Sequence, residues 1–158
     1  MDRPRQSYFG QGPRMIRPAV IVAVIGGLAA WFEPDIFLLS PRLLQPLRGL
    51  LGWMFILAGT GLFVWGMARM IPAVKSGTFD TGGPFAIVRN PMYSAWIVFL
   101  FPGIALTSGA WLILGASPTA WIFFRKWVLV EEQALLDRFG QPYAQYRKKV
   151  PALFPFPQ

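Results

Sequence analysis

Two short polar clusters interrupt a very apolar sequence. The first places Arg89, Asn90 and Tyr93 at the start of a long apolar run, and the second places Glu131 and Glu132 at the end of another. A carboxylate at the end of an apolar helix, at or just past the membrane boundary, carries a large desolvation penalty unless it is paired with a cation. We therefore expect Arg89 to pair with one of these glutamates across a helical bundle.

Every residue of the first cluster also has a purely structural explanation. Asn90 is a good helix N-cap, and Pro91 suits the first helical position. The long side chain of Arg89 can reach the membrane interface, where Tyr93 would join an aromatic belt. Gly82-Gly83-Pro84 is ordinary turn chemistry. A non-catalytic protein in which this motif only caps helices therefore stays open.

The composition limits the chemistry. The 158 residues include no cysteine and no histidine. This composition rules out disulfides and thiolate chemistry, and it removes the commonest metal ligand and the commonest general base. We therefore expect no metal site and no Ser-His-Asp triad.

The composition also predicts an integral membrane protein. Hydrophobic residues make up 54% of the chain and charged residues only 14%, whereas soluble domains average roughly 25% charged residues. The net charge of +8 is explained better by basic residues at the cytoplasmic ends of membrane helices than by nucleic-acid binding. We expect no nucleic-acid partner.

The apolar runs predict an all-α protein with about four transmembrane helices and one membrane domain, 1–158. We expect a cytoplasmic segment at 1–17. Two spans follow within 18–72, and a segment at 33–48 that lies on the membrane surface joins them. The second half, 73–158, carries the motif loop, a helical hairpin and a helical tail. The four apolar runs are 18–32, 49–71, 91–107 and 110–130. We expect Pro72 to end the second helix, and Pro102 and Pro118 to bend theirs or to lie at breaks near a cavity. Gly140 is expected to end a helix in the tail.

The pattern of small and basic residues predicts packing and orientation. Gly52, Gly59 and Gly66 recur every seven residues, which favours close helix packing. We expect this stripe to pack within the chain rather than between copies, and the oligomeric state stays open. With both termini in the cytoplasm, all of the 15 Lys and Arg except Arg42 and Arg48 lie inside, as the positive-inside rule requires. We expect a multi-pass protein of a bacterial inner membrane.

The two clusters and their separation resemble a known family. "GPFAIVRNPMYSA", an apolar hairpin and "EEQALLDRFGQPYAQYRKKVPALFP" together resemble the isoprenylcysteine carboxyl methyltransferase and phospholipid methyltransferase superfamily. The resemblance covers roughly residues 75–155. Two departures are visible, since Ala95 replaces a family glycine and Ala152 replaces an arginine that often follows Val-Pro.

The resemblance implies a membrane methyltransferase that binds S-adenosylmethionine on the cytoplasmic side. Arg89 would hold the carboxylate of the cofactor and Glu131 or Glu132 its amine or ribose hydroxyls, with Arg89 and Glu132 central to catalysis. Tyrosine and phenylalanine rings would pack the adenine or face the sulfonium. The implied cofactor contacts are Gly83, Pro84, Phe85, Arg89, Asn90, Pro91, Tyr93, Glu131, Glu132, Phe139, Tyr143 and Tyr146.

The acceptor implied by the resemblance is lipophilic and enters from the bilayer, so membrane lipids are its expected partners. A carboxylate or thiolate acceptor needs no base, whereas an amine must lose a proton, and only Glu131 or Glu132 near the motif could take it. A nicotinamide-dependent membrane reductase with a similar helical frame is a second possibility. A non-catalytic membrane protein, in which the motif only caps helices, is the third possibility.

Overall fold

The computed structural model describes residues 12–38 and 44–154. Within these residues the protein is helical, with one isolated bridge between Leu38 and Ala110 and no strand, which confirms the all-α prediction. The helices are α1 (Gly12–Phe32), α2 (Pro34–Phe37), α3 (Gln45–Lys75), α4 (Pro91–Ser108), α5 (Ala116–Phe139) and α6 (Gln141–Lys149), and short 3₁₀ turns cover Gly83–Ala86 and Trp111–Gly115.

Three of these helices, α1, α3 and α4, are long and apolar enough to cross a membrane. The outward faces of α1 and α3 expose large apolar side chains, among them Trp31 at 81% and Leu57 at 69%, as expected for contact with lipid. Helix α5 has 24 residues, about 36 Å at 1.5 Å per residue. Arg125, Lys126 and the two glutamates make α5 too polar to meet the same criterion, so a fourth span stays a prediction.

Helices α1 and α5 pack antiparallel. At one end the Arg14 guanidinium lies 5.4 Å from the centre of the Trp127 ring. At the other end a Cβ added to Gly26 would lie 3.0 Å from the backbone nitrogen of Ile113. The start of α1 therefore lies beside the second half of α5.

Helices α3 and α4 are also antiparallel, and the glycine stripe lies between them. Gly52, Gly59 and Gly66 are all buried. A Cβ added to Gly52 would lie 2.7 Å from the backbone nitrogen of Thr107, and one added to Gly59 would lie 2.8 Å from the Cβ of Phe99. The expectation that this stripe packs within the chain is confirmed.

One predicted helix boundary is wrong, and another helix extends beyond its apolar run. Helix α1 spans Gly12–Phe32 and contains Pro18, so it includes residues that precede the apolar run at 18–32. Pro72 does not end α3, which continues to Lys75. A proline near a helix end removes one hydrogen bond, and the last turn can continue because the carbonyl of Pro72 accepts the N–H of Ser76 at 2.9 Å.

The prolines of the hairpin act differently from each other. Pro102 follows a π-helical stretch, Ala95–Leu100, within α4; Pro102 has no N–H for the carbonyl four residues earlier, and its ring crowds that carbonyl, so the preceding turn widens. Pro118 lies in the first turn of α5, where a missing N–H costs no helical hydrogen bond. The turn between these helices contains Gly109, at φ +79°.

The larger hydrophobic core joins α1, α4, α5 and the residues after α6. Its buried side chains are Met15, Ala19, Tyr93, Ile97, Phe101, Ala116, Ala120, Phe124, Val128 and Leu153. Leu153 comes from the last few described residues, so this part of the chain packs against the start of α4. This core brings the two polar clusters of the sequence to the same end of the bundle.

Candidate active site

A buried ion pair joins the two polar clusters. Arg89, just before α4, donates from Nη2 and Nε to Glu132 Oε1 at 2.6 and 2.9 Å, although 43 residues separate them. The expected pairing of Arg89 with a glutamate of the second cluster is confirmed. The hairpin of α4 and α5 brings these residues together, because it returns the chain to the end of the bundle where it began.

Glu132 lies between two arginines. Its residue is only 3% exposed, and its second oxygen, Oε2, lies 2.9 Å from Nε of Arg147 in α6. A buried carboxylate needs such partners, because its desolvation penalty is otherwise large. Arg147 was not predicted from the sequence, although it lies one turn after Tyr143 and so on the same face of its helix.

The last described residues, 150–154, form a segment that we call the C-terminal strap. The backbone N–H groups of Arg89 and Asn90 donate to the carbonyls of Pro151 and Ala152 at 2.8 and 3.1 Å. Nη1 of Arg89 donates to the carbonyl of Val150, and also to that of Arg147 at 2.7 Å. The strap is therefore hydrogen-bonded directly to the motif that precedes α4.

Two further side chains hold the strap, and one corrects the structural explanation of the motif. Asn90 occupies the N-cap position of α4 but makes no side-chain capping hydrogen bond. Its Nδ2 donates instead to the carbonyl of Ala152 at 3.0 Å. Ser94, a buried residue that the sequence did not single out, donates to the carbonyl of Leu153 at 2.6 Å.

Glu131 has a different environment from its neighbour Glu132. It is half-buried, and its Oε2 accepts a hydrogen bond from the Tyr93 hydroxyl at 3.2 Å. Burial raises the pKa of Glu131 above its usual value, and the Tyr93 hydroxyl opposes that rise. No arginine or lysine among the described residues pairs with Glu131, and its other oxygen has no described partner.

Three of the remaining predicted aromatic residues, Phe139, Tyr143 and Tyr146, form a second cluster. Phe79, which was not predicted, lies between Phe139, Tyr143 and Tyr146 with ring centres 4.9, 5.5 and 5.9 Å away. The Tyr146 hydroxyl donates to the carbonyl of Phe85 at 2.7 Å. Burial raises the pKa of Tyr143 to about 12 and also raises that of Tyr146.

The motif loop packs against this second cluster and against α3. Pro84 and Phe85 are buried in the 3₁₀ turn Gly83–Ala86. Gly83 has φ +56° and lies close to the Trp65 indole, which is 3.2 Å from the position of an added Cβ. Pro91 begins α4 and is buried against Gly66. The structure thus brings all twelve predicted residues to one end of the bundle, but in two environments.

The two environments have different chemical capacities. Arg89 uses four of its five N–H groups within the protein, and both oxygens of Glu132 are paired. These two residues are therefore engaged in joining the motif, α5 and the strap. Glu131 presents a carboxylate to the Tyr93 hydroxyl, and a carboxylate with one oxygen that no described residue pairs suits a cationic group. The Tyr93 ring packs on the buried Phe124 ring, with centres 5.4 Å apart.

Comparison with known proteins identifies the family of this helical chain. Residues 47–142 match the phospholipid methyltransferase family. This match covers more than half of the chain, and the chain belongs to this family. The resemblance noted from the two motifs is thereby confirmed. No solved structure matches the chain significantly.

Individual relatives are similar over part of their length. A protein-S-isoprenylcysteine O-methyltransferase of Xenopus laevis is 32% identical over 81 residues, which cover 51% of this chain and 28% of the relative. A methanethiol S-methyltransferase of Pseudomonas deceptionensis is 30% identical over 114 residues, which cover 66% of this chain and 42% of the relative. The matched part of the chain thus spans less than half the length of these relatives.

Proposed function

We propose that the protein transfers a methyl group from S-adenosylmethionine to a lipophilic acceptor that reaches the site from the bilayer. The observation that carries the proposal is the direct contact of the two halves of the family motif through Arg89 and Glu132. This contact leaves Glu131 and Tyr93 beside it with a carboxylate oxygen that no described residue pairs. Methyltransferase relatives support the reaction class, and the cofactor and the acceptor belong to the proposal.

The available groups fit the cationic part of this cofactor. A sulfonium and an α-ammonium both favour a carboxylate and the face of an aromatic ring. Glu131 supplies the carboxylate, and Tyr93, whose hydroxyl donates to it, supplies the ring. Asn90 retains a carbonyl oxygen and a second N–H for the ribose or the carboxylate. Arg89 retains one N–H, so we assign it chiefly to positioning rather than to a bidentate hold on the cofactor carboxylate.

The chemistry of the step needs few protein groups. When bound, the cofactor supplies an electrophilic methyl group and a neutral thioether leaving group. The protein contributes by holding the reacting groups in line, and such positioning can supply up to about 7–11 kcal/mol of the barrier. The Arg89–Glu132–Arg147 cluster fixes α4, α5 and α6 relative to one another, and so it fixes the positions of Tyr93 and Glu131. We place the site at the cytoplasmic face.

The test measures cofactor binding first and the methylated product second. Binding of S-adenosylmethionine to the detergent-purified protein is measured by calorimetry for wild type, Glu131→Gln and Glu33→Gln. Glu33 is an exposed glutamate before α2, at the other end of α1, and serves as the matched control. We expect Glu131→Gln to weaken binding at least tenfold and Glu33→Gln to bind as wild type.

The product is then sought by incubating the wild type with methyl-labelled cofactor and a total lipid extract, followed by mass analysis of what gained a methyl group. A lipid amine, an isoprenoid-linked carboxylate and another lipophile give distinct products. Wild type that binds NADPH in place of S-adenosylmethionine would identify a reductase. Wild type that binds neither would leave the non-catalytic interpretation standing and the proposal refuted.

A further inference from the structure

The first turn of α1 lies beside the candidate site. A Cβ added to Gly12, the first residue of α1, would lie 3.4 Å from the hydroxyl oxygen of Tyr93. The same hydroxyl donates to Glu131 Oε2 at 3.2 Å. Gly12 therefore borders the pair of residues to which we assign the cationic part of the cofactor.

The missing side chain of Gly12 leaves space in front of this hydroxyl. Beyond its own helix, the Tyr93 oxygen is the only described heavy atom within 4 Å of the added Cβ. The glycines at helix contacts differ, because a Cβ on Gly26 or Gly52 would meet backbone at 3.0 or 2.7 Å. Close packing thus explains those glycines but not Gly12, and a helical backbone does not favour glycine either. A larger side chain at residue 12 would extend into the space next to Tyr93.

Neighbouring contacts fix the position of this turn. Met15 is fully buried in the core that also contains Tyr93. The Arg14 guanidinium lies over the ring of Trp127, 5.4 Å from its centre. Trp127 and Glu131 are four residues apart on α5 and so share one face of that helix. The start of α1 is therefore held against the face of α5 that carries Glu131.

We infer that the first turn of α1 forms a wall of the cofactor site, and that Gly12 limits the size of the group that can lie against Tyr93 and Glu131. The inference rests on the proposed function, because it takes that group to be the cationic part of S-adenosylmethionine. Helix α1 precedes residues 47–142, which match the family, so this wall comes from a part of the chain outside that match. A side chain at residue 12 and a cofactor group beside the hydroxyl would compete for the same space.

The distance predicts an effect that depends on side-chain size. At 3.4 Å from the Tyr93 oxygen, the methyl group of an alanine would be close to ordinary van der Waals contact. A leucine adds further carbons beyond that methyl group, and they would fill the space over the hydroxyl. Affinity for the cofactor should therefore fall with the volume of the side chain, although no contact of the fold is removed.

The test measures binding of S-adenosylmethionine by calorimetry to the full chain in detergent, for wild type, Gly12→Ala, Gly12→Leu and Gly27→Leu. Gly27 is the matched control, because it lies on the same helix and a Cβ added there meets nothing within 4 Å. Both leucine variants replace a helical glycine, so both gain helix propensity. We expect Gly12→Leu to bind about tenfold more weakly and Gly12→Ala to stay within about twofold of wild type. Gly27→Leu should bind as wild type.

The free energy of unfolding is measured for the same variants, since a wall residue changes binding without changing the fold. Three results would overturn the inference while wild type binds the cofactor. Gly12→Leu could bind as well as Gly27→Leu, Gly12→Ala could lose as much affinity as Gly12→Leu, or Gly12→Leu could unfold more easily than Gly27→Leu because α1 is displaced. Wild type that does not bind S-adenosylmethionine would instead refute the proposed function, and this inference with it.

Discussion

Arg89 Nη2 and Glu132 Oε1 lie 2.6 Å apart in a pair whose side chains are only 11% and 4% exposed. The guanidinium also holds the carbonyls of Arg147 and Val150. One side chain therefore joins the start of α4 to α5, α6 and the strap. This arrangement makes Arg89 a positioning residue. Its removal should lower both the stability of the fold and the affinity for the cofactor.

Arg89→Ala should destabilise the protein by about 3–5 kcal/mol, because it leaves Glu132 buried with Arg147 as its remaining partner. The measurement is thermal or denaturant unfolding in detergent. Arg69→Ala is the matched control, since Arg69 forms a similar pair with Asp80 at 2.6 Å but is 46% exposed. That variant should unfold close to wild type. Equal effects of the two variants would show that burial of the Arg89 pair does not matter.

The double variant Arg89→Met/Glu132→Leu separates positioning from binding. Replacing a buried ion pair with apolar residues of similar size is often neutral or stabilising, so the double variant should regain much of the lost stability. It should not regain full cofactor affinity if the three helices lose their relative positions. Complete recovery of both properties would remove Arg89 and Glu132 from the site.

The glycine stripe gives a prediction about helix packing. Gly52→Ala should destabilise the protein by about 1–3 kcal/mol, because the new methyl group would lie 2.7 Å from the backbone of Thr107. Gly61→Ala on the same helix meets nothing within 4 Å and should be neutral or stabilising by up to about 1 kcal/mol. Unfolding of both variants in detergent measures the difference. Loss of stability in Gly61→Ala, or none in Gly52→Ala, would contradict the close packing of α3 on α4.

The sequence predicted what depends on residue type and spacing. The apolar runs of α1, α3 and α4, the seven-residue glycine period and the expected pairing of Arg89 with one of the two glutamates each carry a physical signal, and the structure agrees with these three. The sequence did not predict that Pro72 lies within a helix, because the effect of a proline near a helix end depends on the next hydrogen bonds.

The finer arrangement of the site depends on tertiary contacts that no local pattern reports. Nothing in the sequence distinguishes Glu131 from Glu132, since the difference comes from a rotation of about 100° between neighbouring helical residues. That rotation turns one carboxylate toward Tyr93 and the other toward two arginines. The capping signal of Asn90 was also misleading, because the strap offers its side chain a carbonyl acceptor that the sequence does not place nearby.

The environment of Glu131 predicts how cofactor affinity depends on pH. Burial raises its pKa, so the carboxylate becomes protonated at a higher pH than an exposed glutamate. Affinity for a cationic cofactor should therefore fall as the pH drops through this raised pKa. The Tyr93 hydroxyl lowers the pKa of Glu131, and the charge of Glu132 raises it. Tyr93→Phe should therefore shift the loss of affinity to a higher pH.

Calorimetric titrations across a pH series test this dependence in wild type, Tyr93→Phe and Glu131→Gln. Glu131→Gln should bind weakly with no such pH dependence. The same pKa shift also affects folding: since the native state binds the proton more tightly than the unfolded state, the contribution of Glu131 to stability is lost as pH rises through its raised pKa. If the pH at which cofactor affinity is half lost is the same in Tyr93→Phe and wild type, the Tyr93 hydroxyl does not act on the Glu131 carboxylate.

The attachment of the strap can be tested by hydrogen exchange at two backbone amides. Leu153 is 3% exposed and lies in the core with Tyr93 and Phe124. Leu153→Ala should therefore lower the free energy of unfolding by about 2–5 kcal/mol. The N–H groups of Arg89 and Asn90 donate to the strap, and their hydrogen exchange should accelerate when the strap is loosened. Leu129→Ala is the control, because Leu129 is 60% exposed on α5, and it should leave both amides protected. Unchanged exchange at Arg89 and Asn90 in Leu153→Ala would show that the hydrogen bonds hold the strap in place without this side chain. Faster exchange confined to these two amides would identify Leu153 as the side chain that keeps the strap bound to the motif.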